Sequence, residues 1–156
     1  MKYIDIHGHI NFPDYDADRE EVIKRARDAG VSIITVGVGL ESSKKAIELA
    51  EAHENMWAVV GVHPTDTQHS VADKEFEAIR ELAIHPKVVA IGECGLDYVH
   101  SKPEDICKQR EIFEKHIELA NELNKPLMLH IRNAKTKDGV IPHENAYQEA
   151  IGMLKA

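Results

Sequence analysis

Two histidines separated by one glycine end an apolar run in YIDIHGHINF, at His7 and His9. Side chains at i and i+2 of a strand share a face, so the pair can present two imidazoles to one metal ion. An HxH pair alone is a weak signal, because two neighbouring histidines can simply finish a strand. Two further groups give it context: Glu93 follows an apolar run in AIGECGLDY, and His130 lies at the end of another in PLMLHIRNA. A carboxylate among histidines can bridge two divalent ions. Two such ions about 4 Å apart can clamp a phosphoryl group and produce hydroxide near neutral pH, which suits phosphodiester hydrolysis.

Residues so far apart in sequence share a site only if the elements that carry them converge. Apolar runs that suit fully buried strands occur at Tyr3 to Ile6, Val31 to Val36, Trp57 to Val62, Val88 to Ile91 and Leu127 to Ile131. Each is followed by helical periodicity, for example Val22, Ile23, Ala26 and Ala29 after the first and Phe76, Ile79 and Leu82 after the third. The last two helices are marked by Ile106, Phe113, Ile117 and Ala120, and by Ala146, Ala150 and Leu154. Asp18, Ser42 and Asp73 are the expected N-caps, Pro103 suits a first helical turn, and Gly30 can close the first helix.

Alternating βα units give a parallel sheet with right-handed crossovers, either open or closed as a barrel. An open nucleotide-binding sheet usually carries a glycine-rich phosphate loop after its first strand, where this chain has His7, Gly8 and His9. Five units in 156 residues average about 31 residues each, and eight would need about 250. The expected fold is therefore α/β, a TIM-type (β/α)8 barrel of which residues 1–156 form one partial domain with about the first five βα units. In such a barrel the C-terminal strand ends open on one mouth, which is where all four candidates would lie.

A net charge of −8 and a pI near 5.7 exclude a broad phosphate-tracking surface, so DNA or another phosphodiester must be gripped locally. Two cysteines, Cys94 and Cys107, and a start without signal-peptide character point to a reduced, cytoplasmic protein. No apolar run approaches the length of a membrane helix.

The motifs DIHGH (Asp5 to His9), GVHP (Gly61 to Pro64), GECGLDY (Gly92 to Tyr98) and HIRNA (His130 to Ala134), in this order and spacing, resemble the N-terminal part of the TatD-family metal-dependent deoxyribonucleases. The resemblance spans essentially the whole chain. It implies a (β/α)8 barrel and up to two divalent metal ions, with Zn, Mn, Co or Mg as candidates. By the same resemblance His7 and His9 hold one metal, Glu93 bridges as the central catalytic ligand, His130 joins the second metal, and His63 and Arg132 face substrate phosphate. The guanidinium fork of Arg132 agrees with that role, and His63 lies just beyond the third strand. A turn-capping role accounts equally well for His63.

The family pattern continues with a histidine after a sixth strand and an aspartate after an eighth, each a metal ligand, and this sequence contains neither strand. Each metal is thus expected to be one protein ligand short. His143 lies in GVIPHENAYQEA, which has no apolar run, and is left out of the site. Unpaired edges on the first and fifth strands are expected to promote self-association. Two alternatives stay open: an inactive or association-dependent subunit, and another amidohydrolase-like metal hydrolase, against which GECGLDY and HIRNA argue. Asp5 is expected to orient the HxH pair, and Asp97 and Tyr98 to shape the fourth loop. His53, His69, His85, His100 and His116 are expected in surface or packing roles, and Cys94 as a packing residue. Asn11 stands where the family more often shows an acid.

Overall fold

The computed structural model describes residues 2–67, 72–100, 103–134 and 145–155. Strands β1 (Tyr3–Gly8), β2 (Val31–Val36), β3 (Met56–Val60), β4 (Val88–Asp97) and β5 (Leu127–Arg132) alternate with helices α1 (Arg19–Asp28), α2 (Leu40–Ala52), α3 (Ala72–Ala83), α4 (Pro103–Leu123) and α5 (Ala146–Met153). Short 3-10 turns follow β1 at Pro13–Tyr15 and β3 at Pro64–Asp66. All neighbouring strands are parallel, in the order β1-β2-β3-β4-β5. An order that never reverses belongs to a barrel wall, whereas a doubly wound sheet reverses at its switch point. The chain forms a five-stranded half-barrel of the TIM type.

Strand alternation divides the apolar residues between two layers. Ala58 and Val60 of β3 join the main core with Ile23, Ile47, Phe76, Ile79 and Leu119 of the helices. Val59, between them, turns the other way and packs with Val36, Ala90, Ile34 and Met128. Full burial of a large side chain such as Ile79 or Phe76 contributes about 1.5–3 kcal/mol, and the helix-side layer holds most of these.

Helix ends follow the expected residues in part. Asp18 occupies the N-cap of α1, Gly30 follows that helix at φ +77°, and Pro103 opens α4. Ser42 is not an N-cap: Gly39 holds that place, and Ser42 Oγ accepts the N–H groups of Val38 and Gly39 from inside the first turn. Asp73 likewise lies inside α3, which begins at Ala72.

Strand ends are where periodicity misleads most. β4 runs to Asp97 and not to Ile91, because its residues from Val88 on are almost all buried and its two glycines hide the strand pattern. β1 reaches Gly8, and β3 stops at Val60, so Gly61 to His63 form the turn that leads to the mouth. Gly92 and Gly95 adopt φ +145° and +139°, and a Cβ on either would collide with a carbonyl of β5, that of Met128 or of His130. These glycines let β4 lie against β5 on both sides of Glu93, where the pairing register slips between Ile91 and Cys94.

Among the described residues each outer strand pairs on one side only. Along β1, Tyr3 and Ile6 are 69% and 61% exposed, and Ile4 is also exposed. At the other end Leu129 of β5, Tyr147 and Ile151 of α5 and the following Leu154 are exposed. His69 and His143 lie outside the described residues. Among the described residues, no helix is long and apolar enough to cross a membrane.

Candidate metal centre

The site begins at the end of β1. Pairing with β2 passes from Asp5 opposite Ile33 to Gly8 opposite Thr35, which leaves one extra residue on β1. Asp5 supports this kink: its Oδ1 accepts the His7 backbone N–H at 3.1 Å, so it holds the main chain and not an imidazole. His9 Nδ1 lies 3.1 Å from the Val36 carbonyl, which turns Nε2 toward Glu93. Asn11 is buried beside it, donating from Nδ2 to the carbonyls of Val36 and Ser42 and accepting from Thr35 Oγ1. An ionised acid has no proton to give those carbonyls, so the amide has a physical reason to be there.

Glu93 is 6% exposed and divides its two oxygens. Oε2 stands 3.3 Å from His7 Nε2 and 3.8 Å from His9 Nε2, and Oε1 stands 3.3 Å from His130 Nδ1. Burial opposes its charge, but the hydrogen bond with His130 and the nearness of His7 and His63 outweigh this and hold the carboxyl at about 2. Among the described residues two groups have ligand atoms within 4.8 Å of one another: His7, His9 and Glu93, and His63, Glu93 and His130. They share Glu93.

His63 starts the turn after β3, and its backbone N–H donates to Val38 at 2.8 Å. Its Nδ1 caps that turn, accepting the Thr65 N–H at 3.3 Å beside the Thr65 hydroxyl at 2.6 Å. The ring also packs on His130 with centroids 4.2 Å apart, so the capping and site positions are met together. Burial, with His130 nearby, lowers its pKa to about 4. Behind it His116, fully buried on α4, accepts the Val62 N–H at Nε2 and faces the Ile112 carbonyl with Nδ1. Packing is the role expected for His116, and burial lowers its pKa to about 4.

Asp97 ends β4 with no exposed surface. Its Oδ1 accepts the N–H groups of Val99 and His100, both at 2.8 Å. Its Oδ2 meets His130 Nε2 at 2.9 Å and His100 Nδ1 at 3.1 Å. Burial opposes the charge on Asp97, yet these hydrogen bonds hold it well below the usual carboxylate range. The hydrogen bond to Glu93 leads in raising the pKa of His130, and burial opposes it. Arg132 reaches the same place from β5, with Nε 3.9 Å from Asp97 and Nη1 3.3 Å from His100 Nδ1. His100 is thus part of the mouth and not a peripheral histidine, while His53 and His85 pair with Glu20 and Glu51 away from it. The sequence places Asp97 only in the fourth loop; the structure puts it at the end of β4, four residues beyond Glu93 and on the same face of the strand.

His9, Phe12, His63, Glu93, His130 and Arg132 line a cleft of about 390 Å³. Cys94, next to Glu93, is fully buried, and burial pushes its thiol pKa up, in keeping with a packing role.

The family model described as TatD related DNase matches residues 4–155. The chain belongs to the TatD family. A metal-dependent hydrolase of Bacillus subtilis (strain 168), YabD, is 41% identical to this TatD-family chain over 95% of it and 57% of the relative. The 3'-5' ssDNA/RNA exonuclease TatD of Escherichia coli (strain K12) is 40% identical over 83% of this chain and 50% of its own. A TatD-family hydrolase from Entamoeba histolytica superposes with a TM-score of 0.79 at 26% identity, over 98% of this chain and 53% of that one. A TatD homolog from Escherichia coli K12 gives 0.73 at 32% identity, over 83% and 51%. The TatD-family chain spans about half the length of the curated relatives it matches. Its donor set, imidazoles around one ionised carboxylate, suits borderline divalent ions such as Zn, Mn and Co, and Mg through the carboxylate.

Proposed function

We propose that this chain carries the metal and phosphate site of a hydrolase that cleaves phosphodiester bonds in single-stranded nucleic acid. The observation that carries the reading is the division of Glu93, one oxygen toward His7 and His9 and the other toward His130. His7, His9 and Glu93 would hold one divalent ion, and Glu93 and His130 a second. When bound, such ions supply Lewis acidity at a phosphoryl oxygen and hydroxide near neutral pH.

The other residues of the cleft bind substrate. Arg132 offers its donor fork to phosphate oxygens from the open side of the mouth. His63 accepts at Nδ1, so its neutral ring carries the proton on Nε2 and donates to phosphate. Phe12, 4.5 Å from the His9 ring, gives a nucleobase an aromatic surface to stack on. A chain of net charge −8 has little general affinity for phosphate, which favours strand ends or short strands gripped at this cleft. Relatives named as ssDNA/RNA exonucleases support the same substrate class. Two free cysteines suit a reducing, cytoplasmic setting.

The test is hydrolysis of a short end-labelled single-stranded oligonucleotide with Mg, Mn, Co or Zn, beside a Glu93→Ala control. Metal-dependent cleavage that disappears in the control is the expected result. Cleavage no faster than the control ends the proposal for this chain.

A second reading has its own observation, the exposed Tyr3, Ile4 and Ile6 on one edge and Leu129, Tyr147 and Ile151 near the other. Such apolar surface, on the two edge strands and on α5, favours association, and the hydrolase would then act as an assembly. Specific activity that rises with protein concentration, alongside a sedimentation coefficient above that of a monomer, supports it. A monomer of constant specific activity rules it out.

A further inference from the structure

We propose that Asp97 is a positioning residue that fixes the tautomer and aim of His130, so that Nδ1 is the metal-binding nitrogen. The inference rests on the metal-centre reading above and extends it to a residue that touches neither cation nor substrate.

Asp97 is buried with both carboxylate oxygens facing nitrogen donors, the N–H groups of Val99 and His100 and the rings of His130 and His100, so it accepts hydrogen bonds and gives none. Its Oδ1 is occupied by the N–H groups of Val99 and His100. Its Oδ2, 2.9 Å from His130 Nε2, therefore requires a proton on that nitrogen. Nδ1, 3.3 Å from Glu93 Oε1, gives up the proton of that hydrogen bond when a cation binds and is left with its lone pair. Two lone pairs presented side by side are what a cation needs. Hydrogen bonding of the far imidazole nitrogen by a carboxylate fixes ring orientation and raises ligand basicity.

The carboxylate can be separated from the turn that holds it. Gln109 clamps the Asp97 main chain, accepting its N–H at 2.9 Å and donating to its carbonyl at 3.2 Å. Asp97→Asn keeps an oxygen for the Val99 and His100 N–H groups. Its amide, however, would donate toward His130 Nε2 and drive the ring proton to Nδ1, where it blocks the lone pair. The change is nearly isosteric, and its effect falls on the ring.

Two measurements test this with zinc as the probe. Two-bond proton–nitrogen correlation on the zinc-loaded wild-type protein, with the His130 signals assigned by their loss in His130→Gln, is expected to show zinc on Nδ1 and the proton on Nε2. Calorimetric titration of Asp97→Asn is expected to show zinc binding at the His130 site weakened about 10–100-fold, with the His7 and His9 site retained. Zinc on Nε2 of His130, or unchanged affinity in a folded Asp97→Asn protein, overturns the proposal. If Asp97→Asn does not fold, the wild-type spectrum alone decides. No zinc binding by the wild type would overturn this inference and the metal-centre reading together, whereas zinc bound through Nε2 would end this inference alone.

Discussion

His116 Nε2 lies 3.0 Å from the backbone N–H of Val62, so a side chain of helix α4 holds the turn that carries His63. Only a neutral ring can accept this bond, and burial keeps His116 neutral by lowering its pKa to about 4 from 6.5. The unfolded chain takes up this proton below about 6.5, while the folded one resists until about 4, so stability is lost as pH falls through that window. The full loss is on the order of 3 kcal/mol. Urea unfolding at pH 7 and at pH 5 should show the decline, and His116→Gln, which can still accept from Val62, should show a smaller one.

Gly95→Ala should destabilise the protein by roughly 1–3 kcal/mol, since it forces a side chain into φ +139° and against the His130 carbonyl. Denaturant midpoints give the cost. Zinc titration should show weaker binding as well, because β5 must shift with the ring it carries.

Arg132→Lys keeps the positive charge and loses the planar fork. Steady-state kinetics on an oligonucleotide should show KM rising about tenfold, the equivalent of about 1.4 kcal/mol, with a smaller change in kcat. An unchanged KM would remove Arg132 from phosphate binding.

Glu93→Gln keeps the size of the shared ligand and removes its charge. Zinc or manganese should raise the melting temperature of the wild-type chain, EDTA should reverse the rise, and the variant should show none. A metal-induced rise that survives in the variant would mean that Glu93 does not link the two imidazole groups.

The legible part of this protein lies in periodicity and in residue type. Five apolar runs and their helices predict the half-barrel, and His7, His9, Glu93 and His130 announce themselves as ligand types at the C-terminal ends of strands. Less legible is whatever depends on contacts between distant segments. Nothing around His116 distinguishes it from an exposed helical histidine, because its role comes from Val62 on another element. Asp97 is hidden for a different reason: glycines that must take positive φ interrupt the apolar pattern of β4, so the strand reads as ending at Ile91 and the shared parity of Glu93 and Asp97 goes unseen. His100 follows from Asp97, since its ring nitrogen and backbone both bond to that carboxylate.

The unbroken strand order has a consequence for how the molecule comes into being. Among the described residues each of β2 to β5 pairs with the strand that precedes it in the chain, so each of these steps closes a loop no longer than one βα unit. The half-barrel can therefore assemble in the direction in which a ribosome delivers it. His7 and His9 emerge first and stay without their carboxylate until β4 docks, which makes the closing of the ligand cluster a late event in the birth of the chain.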